Sequence, residues 1–495
     1  MATRDATHPS EAASANGTGA TPSASAPSRD EAKATALVEQ GRALLRERGE
    51  AGAEDARAAF LQALAADPQC AAAYWELGWA MQVQGAFDDA LATWDTLRTL
   101  APDYPELAQN YPLLLMRRDQ AATLAALPDP GALPPREEEP RGGPTLGLLA
   151  VGDVQMGTAW PEAMADLPPD DGLVLFAKVA ALLKSAPVLF GNLETALADS
   201  GASTKCGKRS HTCYAFRVPT RFAKSLATTG FHVMSNANNH AGDFGPEART
   251  STMAALDAAG ILHSGPIGDV AKWQQGALKV ALIAFATGAD MMRVQDLESA
   301  RKLVAQTKRA HDLVLVSFHA GAEGIKATHV PKANELFYGE ERGNVYAFAH
   351  TVIDAGADLV LGHGPHVLRG MEIYRGRFIA YSLGNFCTWK GFNLTGPLGV
   401  SGALRLELAA NGVVLRAELV PLVLPQPGAP EPDPTGQAVA AVRALSQADF
   451  GGSVLDERGV YELRPRAPAG AKDGPTRVSA VRAADAASKG QRLPR

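Results

Sequence analysis

Gly356-Ala357-Asp358-Leu359-Val360-Leu361-Gly362-His363-Gly364-Pro365-His366 sets an unbroken apolar triplet against a Gly/His/Pro tail. An apolar run without polar alternation is the mark of a strand buried on both faces. The Gly-x-Gly-Pro that follows marks where the strand must stop and turn. The same grammar recurs upstream. Leu146 to Val151 leads into Gly152-Asp153, and Val188–Phe190 into Gly191-Asn192-Leu193-Glu194. Phe231–Met234 precedes Asn238-Asn239-His240, and Leu313–Phe318 precedes His319. Further strands are expected at Val280–Phe285 and Phe378–Ser382, with helices at Pro246–Ala259 and Asn344–Ala355. Pro246 suits a first helical turn, and Gly260 and Gly356 suit helix stops. Strand–helix alternation implies a layered α/β fold. Residues 403–420 alternate apolar and polar about Asn411-Gly412, a hairpin signal, so the sheet is expected to be mixed. Open α/β sheets build their sites at the carboxyl ends of strands. Asp, Glu, Asn and His there form a donor set for a hard-to-borderline divalent cation and for hydrolytic chemistry.

Bulk composition narrows the function further. The chain has 495 residues, more than one domain's worth, with 46% hydrophobic and 20% charged residues. A net charge of −6 excludes nucleic-acid binding by overall electrostatics. No stretch has the length of a transmembrane helix, and Met1 to Asp30 carries no apolar signal core, so a cytoplasmic location is expected. Four cysteines are too few for a disulfide framework. Cys206 and Cys213 flank a basic loop with Lys205, Lys208 and Arg209. They read as plain thiols, a redox pair or a small metal clip. The basic loop reads as solvated or as facing an anionic substrate.

Six segments are expected: 1–33 disordered, 34–126 helical repeats, 127–144 a Pro/Gly/Glu-rich linker, 145–424 the α/β domain, 425–465 a Pro-rich segment with a short helix near Gln437–Ser446, and 466–495 a disordered basic tail. In the second segment Ala56, Phe60 and Pro68 recur as Ala90, Trp94 and Pro102, each 34 residues on. This spacing and residue choice resemble the tetratricopeptide repeat, and a small helical array of that kind binds a protein partner on its concave face.

The α/β segment resembles the CapA family, the capsule (poly-γ-glutamate) synthesis proteins, whose domain is similar to the calcineurin-like metallophosphatases. The resemblance rests on Gly152-Asp153-Val154, Asn192-Leu193-Glu194, Asn238-Asn239-His240-Ala241-Gly242-Asp243, His319-Ala320-Gly321-Ala322-Glu323, the stretch Gly356 to Val367, and Tyr381-Ser382-Leu383-Gly384-Asn385-Phe386. It runs from about Thr145 to Leu424. The implied fold class is a layered mixed-sheet, metallophosphatase-like α/β domain preceded by a small all-α helical repeat domain.

The resemblance implies a metal set of Asp153, Glu194, Asn239, His319, His363 and His366, holding one or two divalent ions (Mn, Fe, Ni or Zn). It implies His240 as the acid that protonates a leaving oxygen, with Asp243 orienting its ring. Asn238 reads as a loop-holding residue. Asn385 reads as a turn anchor beside the site or as an ordinary turn residue, and Glu323 as a neighbour of the ligands or as a surface charge. Two positions depart from the family pattern. Gln155 stands where calcineurin-like enzymes carry a ligand His, and Gly364 where many CapA relatives carry another His. Two functions follow as expectations: a metal-dependent hydrolase of a phosphoester or related anionic substrate or polymer, and a non-catalytic assembly protein that uses its repeats.

Overall fold

The computed structural model describes residues 30–48, 52–105, 107–131, 135–161, 166–201, 203, 214–288 and 291–463. The expectations for the two termini, and for the loop holding Cys206 and Cys213, lie outside the described residues.

Five helices occupy Glu31–Arg48, Ala53–Ala66, Ala71–Val83, Phe87–Leu100 and Leu107–Ala125. The two aromatic residues at repeat spacing, Phe60 and Trp94, are fully buried. A side chain at Gly78 would overlap the Trp94 indole, and one at Gly41 the Phe60 ring. Glycine is required there because the partner helix presses an aromatic ring against the backbone. Trp94 also stacks on Trp75 at 4.7 Å between ring centroids and donates its Nε1–H to the Trp75 carbonyl.

The α/β segment is built on two sheets. The first runs Glu431–Pro432, Val414–Val423, Val400–Ala409, Thr145–Val154, Val188–Leu193, Val233–Ser235, Leu262–Ser264 across its width. The last four of these strands are parallel, and the Asn411-Gly412 hairpin supplies antiparallel neighbours on the other side. The second sheet runs Met371–Tyr374, Arg377–Ala380, Leu359–His363, Leu313–His319, Leu278–Ala286, Val270–Gln275, with a parallel centre and antiparallel edges. This is the mixed-sheet α/β class expected.

The apolar runs are explained by their two buried faces. Leu146, Leu148, Val188 and Phe190 meet Leu282, Leu313, Leu315, Leu359 and Leu361 between the sheets. The alternate residues Leu149, Val151 and Leu189 pack outward on Phe222, Leu226 and Leu256 of the helices Phe222–Thr229 and Gly245–Ala258. On the far side Val314, Val316 and Val360 pack on Val304, Phe348 and Val352 of the helices Leu297–Ala310 and Val345–Asp354. The order is therefore helix, sheet, sheet, helix.

Two stretches make contacts that composition does not show. The segment expected as a linker, around 127–144, is docked on the α/β segment. Arg136 donates to the carbonyls of Ile353 and Ala357 and to the buried Asp358 carboxylate. Arg309 donates to the Pro130 carbonyl, and Asn411 to Glu137. After residue 424, Glu431–Pro432 and Val460–Glu462 add to the Val414–Val423 strand, and the helix extends over Gln437–Phe450. Ala438, Val439 and Val442 on that helix join the core between the sheets.

Candidate metal centre

Strand register brings the polar residues together. In the first sheet Asp153 sits opposite Asn192 on one side and Asn385 on the other. In the second sheet His319 sits opposite His363. Asp153, Asn192, His319 and His363 lie at or next to the carboxyl ends of their strands, Asn385 opens the short strand Asn385–Cys387, and the chain from Tyr381 to Asn385 joins the two sets. Its Leu383 N–H donates to Gly362, and its Gly384 carbonyl accepts from Asp153 N–H.

Asp153, Glu194 and His319 are fully buried, and each offers a ligand atom within 4.8 Å of the others. His319 Nε2 lies 3.3 Å from Glu194 Oε1. His366 Nδ1 lies 3.1 Å from Asp153 Oδ2 and 3.8 Å from Glu194 Oε2. Two carboxylates and an imidazole from three separate strand ends fit a divalent cation by donor type, and a cation would offset the repulsion between two buried carboxylates.

Electrostatics follow from this crowding. Burial pushes the Asp153 carboxyl up, but the hydrogen bond and charge of His366 outweigh it and bring it to about 2. Burial pushes His366 down, yet Glu194, Asp153 and Glu323 raise it to about 10. Burial holds His319 well below an ordinary histidine, with the Arg342 and His366 charges acting in the same direction and Asp153 against them. Burial also lowers His363.

The other expected residues take distinct places. His363 faces the Val151 carbonyl through Nε2 at 3.3 Å and the Ser317 hydroxyl through Nδ1 at 3.5 Å, outside the three-residue donor group. Asn239 turns its Nδ2 toward Glu323 at 3.4 Å. Glu323 in turn approaches His366 Nε2 at 3.9 Å, so it stands beside the centre. His240 Nδ1 meets Asp243 Oδ2 at 2.8 Å, and its ring packs against Phe216. Asn238 holds the loop, with Nδ2 donating to the Leu193 carbonyl and Oδ1 accepting from His240 N–H. Asn385 Oδ1 lies 3.0 Å from His366 Nδ1.

Both departures have structural causes. Gln155 is turned away from the donors, its Oε1 accepting from the Thr388 hydroxyl and the Trp389 N–H. Gly364 has φ +113°, and a Cβ there would lie 2.7 Å from the Ala320 carbonyl oxygen, so a histidine cannot enter without moving that backbone. One residue escaped the sequence reading. Asn192 donates through Nδ2 to Asp153 Oδ1 at 2.9 Å and lies 3.1 Å from His319 Nδ1, tying the two sheets' donors together. The available signal was its position two residues before Glu194, on the same run.

Residues 147–389 match the family model described as bacterial capsule synthesis protein PGA_cap. That stretch, just under half of the chain, is similar to the PGA_cap family. The capsule biosynthesis protein CapA of Bacillus anthracis is 28% identical to it over 309 residues, covering 58% of this chain and 69% of that protein. The PGA biosynthesis protein CapA of Bacillus subtilis (strain 168) is 25% identical over 339 residues, covering 64% and 82% respectively. A probable polyglutamine synthesis accessory protein of Mycobacterium tuberculosis is 32% identical over 221 residues, covering 39% of this chain and 53% of that protein. Among solved structures, a purple acid phosphatase from yellow lupin seeds aligns with a TM-score of 0.29 at 11% identity, covering 58% of this chain and 52% of that one, too distant to carry an argument. Among the described residues no helix is long and apolar enough to cross a membrane.

Proposed function

We propose that this PGA_cap-like domain is a divalent-metal-dependent hydrolase of an anionic ester, serving capsule or polyglutamate production as the names of its relatives suggest. The observation that carries the reading is the convergence of Asp153, Glu194 and His319 from three strand ends into one buried group. These three would hold a Mn, Fe, Ni or Zn ion, with His366 and Asn385 beside them. Such an ion supplies Lewis acidity toward water and the scissile ester. Asn192 fixes the orientation of Asp153 and His319. Asp243 would accept from Nδ1–H of His240 and orient the ring, so that Nε2, when the imidazole carries its second proton, would give that proton to the departing oxygen.

Turnover of an aryl phosphate ester by the metal-loaded chain tests this. His240→Ala is expected to lower the rate by about 100-fold or more, and Asp153→Ala to bring it to background. Wild type and both variants running alike at the uncatalysed rate would remove the reading.

A second reading, a non-catalytic assembly protein, draws support from Gln155, which is committed to Thr388 and Trp389 rather than to the donor group. It predicts a partner complex held through residues 34–126. A complex that survives loss of that segment would count against it.

A further inference from the structure

An aromatic row links His240 to His366. Phe216 packs on the His240 ring at 4.5 Å between centroids, and Phe392 packs on the His366 ring at 4.8 Å. The two phenylalanines meet edge to face at 5.6 Å. They form one apolar flank between the proposed acid and the histidine beside Asp153 and Glu194. Phe216 is buried, whereas Phe392 is only half-buried. Tyr214, 60% exposed, stacks on Phe216 at 6.3 Å and carries the row out to the surface.

The loop 388–392 that presents Phe392 is fixed by Gln155. The Gln155 Oε1 accepts from the Thr388 hydroxyl at 2.7 Å and from the Trp389 N–H at 3.1 Å. Gly391 N–H donates to the Thr388 hydroxyl oxygen. A Cβ at Gly391 would lie 2.6 Å from the Gln155 amide, so only glycine lets the loop lie this close. Trp389 and Lys390 both reach Asp166, and Thr388 N–H donates to the Gly428 carbonyl. The Gln155 amide, turned away from the donors, thus serves to place the Phe392 ring. A half-exposed phenyl ring gains free energy when another apolar face covers it. A departing oxygen at His240 puts the group it carries next to Phe216 and, beyond it, Phe392.

We propose that Phe392, backed by Phe216, sets the specificity of this site by covering a flat apolar face of the departing group, so that the substrate is an ester of a ring-bearing alcohol rather than of a short polar one. The proposal deepens the hydrolase reading by naming the class of its departing group, and it rests on that reading for the place of His240.

Titration calorimetry of the metal-supplemented full chain with phenylphosphonate and, separately, methylphosphonate tests it, beside turnover of phenyl phosphate. The two probes share a charged head, resist hydrolysis and differ in the ring. Wild type is expected to bind phenylphosphonate about tenfold or more tightly than methylphosphonate, the effect of covering a phenyl ring. Phe392→Ala is expected to lose about tenfold for phenylphosphonate, with a far smaller effect on methylphosphonate. Phe392→Tyr keeps the flat ring and is expected to keep the preference. Should Phe392→Ala fail to fold by circular dichroism, Phe392→Gln, which keeps bulk without the apolar face, takes its place with the same expected loss. Equal affinities in wild type, binding of neither probe, or a preference that survives in the folded variant overturns the proposal. A preference that needs Phe392 in a protein that turns over no phenyl phosphate removes the hydrolase reading and leaves the ring-binding flank standing. Turnover without the preference removes the flank and leaves the hydrolase.

Discussion

Asn192 is the residue on which the two halves of the centre depend, because one amide group touches both Asp153 and His319. Asn192→Ala is expected to lower metal affinity by about 10–100-fold while leaving the fold intact, as loss of a ligand-orienting partner does; competition with a metal-binding dye measures it. Gln155→His is expected to leave metal stoichiometry unchanged, because that side chain faces Thr388 and Trp389. An added equivalent of metal would contradict the placement. Gly364→His places a bulky residue at φ +113° against the Ala320 backbone. It should cost about 1–3 kcal/mol in urea unfolding. The motif residues Asp153, Glu194 and His319 were legible in the sequence because each follows an apolar run. The orientation of Gln155 was not, since only the 388–391 loop, distant in sequence, gives it partners.

At the scale of elements, the buried strands were legible for a simple physical reason: two covered faces leave no room for polar alternation. The hairpin of Glu335–Phe337 and Glu340–Gly343 was not legible, because its strands carry Glu335, Glu340, Glu341 and Arg342 and offer no apolar run. The docking of the segment around 127–144 was equally hidden, since Pro/Gly/Glu content says nothing of what Arg136 finds. It finds Asp358, fully buried, which also accepts from Lys308 and from Val314 N–H. Asp358→Ala strips a buried cation cluster of its carboxylate and is expected to destabilise by about 3–5 kcal/mol in denaturant unfolding. Elsewhere, His263 links the edge strand Leu262–Ser264 to Asp269. Burial lowers it, but Asp269 and Asp257 outweigh that and raise it above the ordinary 6.5. Its contribution is therefore full below pH 6.5 and is lost as pH rises through the higher folded value. His263→Asn should destabilise more at pH 6 than at pH 9.

At the scale of the molecule, the centre exists only because two sheets stack with their carboxyl ends aligned. Asp153, Asn192 and Glu194 come from one sheet's strand ends, His319 and His363 from the other's. Whatever loosens the core between the sheets should loosen the site, so Leu315→Ala is expected to cost about 2–5 kcal/mol and to weaken metal retention in parallel. The five helices at Glu31–Ala125 take no part in that convergence and bury a core of their own. The central claim is that Asp153, Glu194 and His319 form one metal-binding group. Elemental analysis of the purified full chain, beside His319→Ala, tests it most directly. The account predicts stoichiometric Mn, Fe, Ni or Zn that disappears in the variant; a wild-type chain that holds no metal even after reconstitution would contradict it.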